Sequence, residues 1–200
     1  MIAGDVMSVR EVQEGLLEGK HVYGGTFVAL LKALKKMKGM DAINTLMKDL
    51  KRYGYTAPLR IEDYKLKKKY ELSDYLLFFD RCAELFGRNT TDEMSREGAK
   101  KEGIWGWFVK LAGTPELVMK NAGRYWKEFY DFGEMRGEMV DNHTARLYLR
   151  DGCFTEVLCS AHTAYFAGVM ESIGKKNVRV VHEKCTLRGD EMGVWKITWD

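Results

Sequence analysis

The sequence predicts a single α+β domain in which helices precede and cover a four-stranded antiparallel sheet, closing in the order β-β-α-β-β. Three observations carry this. Apolar residues in the first two thirds recur at helical spacing, as in Phe27, Leu30, Leu31, Leu34 and Met37. Near Gly133 the period switches to alternation, with Met135, Gly137 and Met139 set against Glu134, Arg136 and Glu138. A second alternating stretch closes the chain, where Trp195, Ile197 and Trp199 share one face.

The elements follow in order. Ser8 and Glu11 have capping-box spacing for a short helix to about Leu17. The stripe from Phe27 ends at Gly39, and Asp41 can cap a second helix lined by Ile43, Leu46, Met47 and Leu50, so the pair reads as a helical hairpin. The segment Tyr53–Pro58 is a connector. Ser73 is placed to cap a helix with Leu72, Leu76, Phe79, Ala83 and Phe86 inward. A more polar stretch from Thr91 leads to the aromatic run Trp105, Trp107, Phe108. Thr114–Pro115 starts a helix with Val118, Ala122, Tyr125 and Phe129 inward. Two strands meet at the turn Asp141–His143. Residues 154–173 return to helix, and the second hairpin turns at Arg188–Asp190. Residues 1–132 are thus mainly helical, residues 133–200 carry the sheet, and no interior linker divides 1–200 into two domains.

Composition narrows the function classes. With 46% apolar and 12% aromatic residues the chain can fill a core, which excludes wholesale disorder. No apolar run approaches the about 18 residues of a membrane span, and the first residues lack a signal-peptide layout, so the expected compartment is the cytoplasm. The net charge is only +3, with 14 Lys/Arg against 8 Asp/Glu in residues 1–70 (+6), which leaves −3 for the rest. Such lysines read first as solvated helix faces and second as a patch for an anionic surface; no aromatics interleave them as in single-strand binders, so there is no strong nucleic-acid signal.

Signatures of common enzymes are missing: no dinucleotide or phosphate glycine loop, no nucleophile elbow and no HExxH. An enzymatic reading therefore ranks last. One cluster stands out, formed by Cys153, Cys159, His162, His182 and Cys185. Cys159 and His162 share a helix face, and thiolate with imidazole suits zinc. The plainer reading is that buried cysteines behave as small hydrophobes. His182 and Cys185, three apart on a strand, point to opposite faces unless a bulge or the strand end realigns them. A second candidate is an apolar ligand pocket lined by Trp105, Trp107, Phe108, Tyr125, Trp126 and Phe129, against the reading that these are ordinary core.

The segment Cys153–Asp200, with Val180, Cys185, Gly189–Asp190 and Trp195 in matching places, resembles the 4-vinyl reductase type of small-molecule-binding domain. It also resembles the TRAPP transport-particle subunits, whose opening helices are similar to residues 22–55 here. Both families share a fold with haem nitric-oxide sensors. The resemblance implies a sensory domain that takes a small hydrophobic ligand and pairs with a second copy or a related subunit, or alternatively a TRAPP-like assembly subunit. It implies a zinc set at Cys159, His182 and Cys185, completed by Cys153, His162 or water, because Gly193 stands where a fourth ligand would. Haem is expected to be unlikely: the resemblance to the haem branch supplies neither its helix histidine nor its Tyr-x-Ser-x-Arg clamp.

Overall fold

The computed structural model describes residues 14–100 and 113–200. The expected cap at Ser8 and Glu11, and the aromatics Trp105, Trp107 and Phe108, lie outside the described residues. The chain runs α1 (Glu14–Leu17), β1 (His21–Tyr23), α2 (Gly24–Arg52), β2 (Lys69–Glu71), α3 (Leu72–Phe86), α4 (Arg88–Lys100), α5 (Pro115–Lys120), α6 (Ala122–Trp126), β3 (Glu134–Asp141), β4 (Thr144–Arg150), α7 (Glu156–Ser172), β5 (Arg179–Lys184) and β6 (Gly193–Thr198). Short 3-10 turns sit at Ile61–Asp63 and Thr186–Arg188.

The expected antiparallel sheet is present, in the order β3-β4-β6-β5. Ala145, Leu147 and Leu149 of β4 and Trp195, Ile197 and Trp199 at the end of the chain all point inward and are buried, as alternation requires. A two-stranded pair, β1 with β2, was not anticipated; at three residues each these strands are too short to show a period. Helix α2 carries both apolar stripes, and the break between them is at Gly39, whose φ of 82° no helix accommodates. Helix α3 begins at Leu72 after Glu71, not at a Ser73 cap. Thr114 does cap α5, accepting from the Leu117 N–H, with Pro115 in the first turn, but that helix stops at Lys120 and α6 follows as a separate piece.

The polar stretch after Thr91 is a helix, α4, whose buried face is made of Thr90, Thr91, Met94, Ser95 and Ala99. Small residues let it lie close against α7. Ser160 donates to Asp92 at 2.9 Å, and Glu171 pairs with Arg96 and, at 2.7 Å, with Lys100. Helices α2, α4 and α7 and the inner face of the sheet border the space in which the candidate site lies. No helix among the described residues is long and apolar enough to cross a membrane.

Candidate functional site

A cavity of about 1020 Å³ opens between α2, α4, α6, α7 and the sheet, at the upper end of the roughly 300–1,000 Å³ of small-molecule sites. Its wall is mostly apolar, including Leu30, Phe79, Val118, Met119, Phe166 and Ile197. Tyr125, Trp126 and Phe129, named from the sequence, lie on this wall. Sequence reasoning missed Tyr130 and Tyr165, which look like ordinary core aromatics, and Ser95 and Gly98, which look like surface residues of a polar helix.

His162 also lies on the cavity wall, not with the cysteines. Its Nε2 is 3.3 Å from the Tyr130 hydroxyl, which in turn meets the Tyr75 hydroxyl at 3.1 Å, a buried file of three polar groups. The His162 ring lies against Trp126 and Phe166. Its Nδ1 is buried with no hydrogen-bond partner among the described residues. Burial, with a smaller contribution from His182, drives the imidazole pKa down to about 3; it is therefore neutral at physiological pH and keeps a lone pair to offer.

On the far side of Trp195 a second site is assembled. Cys153, Cys159, His182 and Cys185 bring three sulfurs and a ring nitrogen within 4.8 Å of one another. The Cys159 and Cys185 sulfurs are 3.8 Å apart, close to the ~3.8 Å edge of a tetrahedron whose metal–sulfur bonds are ~2.3 Å. The geometric objection to pairing His182 with Cys185 is removed by the fold. A register shift falls between His182 and Lys184, and the strand ends at Lys184, so Cys185 turns back toward the same side.

The Gly189–Asp190 turn holds this arrangement: Asp190 Oδ2 accepts from the Cys185 N–H at 2.7 Å, and the Arg188 N–H donates to the Cys185 carbonyl at 2.9 Å. Cys153 occupies the space that a side chain at 193 would need. A Cβ on Gly193 would stand 2.8 Å from the Cys153 sulfur and 2.7 Å from the Trp195 ring. The hydrogen bonds that Cys153 and Cys159 offer to Cys185 lower its pKa, so Cys185 is the sulfur that carries negative charge first. Cys153 is pulled down by Cys159 but pushed up more strongly by its bond to Cys185 and by burial, to about 12. Cys82 is buried apart from this group, and His143 is exposed at the β3–β4 turn.

Trp195 stands between His162 of the cavity wall and His182 of the thiol cluster. Fully buried, it stacks face to face on His182 at 4.1 Å and 5°, and meets Phe166 edge-on at 5.3 Å. Its indole N–H donates to Thr163 at 2.9 Å, which pins the sheet to α7 one residue beyond His162.

No family model matches the sequence, and no curated protein matches it either. In solved structures the fold is that of H-NOX domains. An H-NOX protein from S. oneidensis in the Fe(II)NO ligation state superposes with a TM-score of 0.65 at 15% identity, covering 89% of this chain and 99% of that one. An unliganded Fe(II) H-NOX protein from K. algicida gives 0.58 at 9%, over 89% and 96%. A further H-NOX domain, solved to probe heme distortion in its family, gives 0.61 at 13%, over 89% and 95%. These matches overturn the resemblance to the 4-vinyl reductase and TRAPP families, and with it the TRAPP-like alternative. That resemblance rested on a helix, a Gly–Asp turn and a closing strand, a local pattern that α7, β5 and β6 satisfy here within the H-NOX fold. They also overturn the expectation that haem is unlikely. That expectation rested on two absent motifs, whereas room for a porphyrin is a property of the cavity, and the structures that share this fold include haem domains. The described chain has the H-NOX fold.

Proposed function

We propose that this protein is a sensory domain that binds a small molecule in the cavity beneath α2 and α7, and that haem is the ligand class to test first. One observation carries the reading: an apolar cavity of about 1020 Å³ with a buried, neutral histidine on its wall whose Nδ1 has no partner among the described residues. An orphaned buried nitrogen costs stability, so its presence favours a group that arrives to use it. The residues fit haem in that respect: His162 would hold it through a nitrogen, Tyr130 would fix the imidazole through its Nε2, and Trp126 and Phe166 would flank the ring. When bound, haem supplies an iron centre able to take a diatomic gas. The chain's own contributions are to exclude water, to hold the imidazole neutral and to limit access.

Reconstitution of the purified chain with hemin tests this. One equivalent should give a Soret band that His162→Ala loses or shifts while its circular dichroism is unchanged. A wild-type chain that leaves micromolar hemin with the broad spectrum of the free molecule refutes the haem reading.

A metal role for the thiol cluster is supported by a separate observation, the mutual approach of Cys153, Cys159, His182 and Cys185. Three sulfurs and one imidazole nitrogen form the donor set of a closed structural zinc site. Zinc there would cross-link α7 to the β5–β6 turn. Elemental analysis of freshly purified protein, repeated on Cys185→Ser, decides it. Pairing with a second copy is an independent proposition, tested by light scattering; neither site depends on it.

A further inference from the structure

The charged residues on the cavity wall are arranged unevenly. Among the described residues Lys32, Lys67, Arg124 and Lys127 line it, against one carboxylate, Glu128. All five are exposed, so they stand at the mouth, whereas the interior side chains are apolar or neutral phenols, hydroxyls and His162. The four cations come from three separate parts of the chain, held together at one point. The Tyr23 N–H donates to the Phe129 carbonyl at 2.9 Å, which brings the segment after α6 to β1. The N–H groups of Gly24 and Gly25 donate to Lys68 and Leu66, each at 2.9 Å, which lays the loop 65–69 across the start of α2. Gly25, Val28, Ala29 and Lys32 then run along the face of α2 that lines the cavity.

We propose that these four cations form a collar, and that the ligand of the cavity is an anionic amphiphile: an apolar body inside, with its carboxylates at Lys32, Lys67, Arg124 and Lys127. The inference rests on the reading of the cavity as a binding site and adds the charge and orientation of what enters. Among the described residues the interior has no cation to neutralise a buried carboxylate, and placing one there unpaired is prohibitive. At the mouth the same group stays partly hydrated and meets four positive charges. Leu66, 52% exposed beside Lys67, offers apolar contact to the emerging part of such a molecule. Two sources share this chemistry, a porphyrin with propionates and a long-chain fatty acid.

The test uses matched pairs that differ only in charge: hemin against hemin dimethyl ester, and dodecanoate against dodecanol. Each is titrated into the full chain with tryptophan fluorescence and thermal shift as readouts. The comparison protein carries K32Q, K67Q, R124Q and K127Q together, all at exposed positions. In wild type the acid of at least one pair should bind roughly tenfold more tightly than its neutral partner, since exposed charge pairs are individually weak but add. That preference should weaken with salt and fall below about twofold in the variant. Hemin and its ester binding alike, with the variant unchanged, overturns the collar and leaves the haem reading standing. Preference in the fatty-acid pair without porphyrin uptake upholds the collar and removes haem. No binding by any of the four removes both.

Discussion

Replacing His162 by leucine should leave the unliganded protein as stable as wild type at pH 7.5, or more so, and should make it markedly more resistant to acid. At neutral pH the imidazole brings one long hydrogen bond to Tyr130, 3.3 Å, and one buried nitrogen without a partner among the described residues. The bond contributes about 0.5–1.5 kcal/mol, and the orphaned atom costs about 1–3 kcal/mol. Tyr130 keeps Tyr75 as a partner at 3.1 Å after the substitution. Loss of ring packing against Trp126 and Phe166 removes about 0.5–1.5 kcal/mol, so the net change lies near zero or on the stabilising side. Acid separates the two proteins. The folded pKa of His162 is depressed to about 3, below the ~6.5 of an unfolded histidine. Between those values the unfolded chain binds a proton that the folded chain refuses, so stability present above pH 6.5 is lost as pH falls toward 3. The slope is about 1.4 kcal/mol per pH unit, which gives about 2 kcal/mol between pH 7.5 and 5.0. Urea denaturation of both proteins at those two pH values measures it, and taking the difference cancels the titration of every other group. Equal losses of stability in wild type and variant would refute the buried, neutral assignment of His162. A leucine variant more than about 2 kcal/mol weaker at pH 7.5 would show that the histidine serves packing rather than a ligand.

Other substitutions probe the frame around the site. A Cβ at position 168 would lie 2.3 Å from the Arg96 carbonyl, so Gly168→Ala should push α4 from α7 and cost about 1–3 kcal/mol, read as a lower urea midpoint. Asp74 is buried and accepts from both the N–H and the hydroxyl of Thr56, so Asp74→Ala should cost about 2–3 kcal/mol with cavity binding unchanged. Zinc in excess over its dissociation constant should raise the melting temperature of wild type, and a chelator should reverse the rise. Cys185→Ser should abolish that response, whereas Cys82→Ser, which lies outside the cluster, should keep it.

How much of this was legible beforehand follows from the range of each interaction. The sheet could be read because β3, β4 and β6 alternate over six to eight residues; β1 and β2, three residues each, could not. Helix α4 was invisible as a wall because Thr90, Ser95 and Gly98 carry no hydrophobic signal, and their value lies in being small beside α7 and the cavity. The aromatics Tyr125, Trp126 and Phe129 could be singled out by composition, but nothing local marks Tyr130 or Tyr165 as facing space rather than core.

The histidines show the limit most clearly. His162, three residues from Cys159 on α7, has the spacing of a co-ligand, yet it lines the cavity. His182, which strand geometry set against Cys185, joins the sulfurs because a one-residue register shift precedes the strand end. Spacing along an element says which side chains share a face; it does not say what the face meets. Here the residue that decides is Trp195, whose ring fills the gap between the two histidines and stacks on His182 alone. A smaller residue at 195 would leave a void between His162 and the cluster. Trp195→Ala is therefore expected to cost about 3–5 kcal/mol and to weaken both sites together, whereas Trp195→Phe should keep the fold and lose the hydrogen bond to Thr163. If the alanine variant keeps one site at full affinity while losing the other, Trp195 supports that second site only and the two are structurally independent.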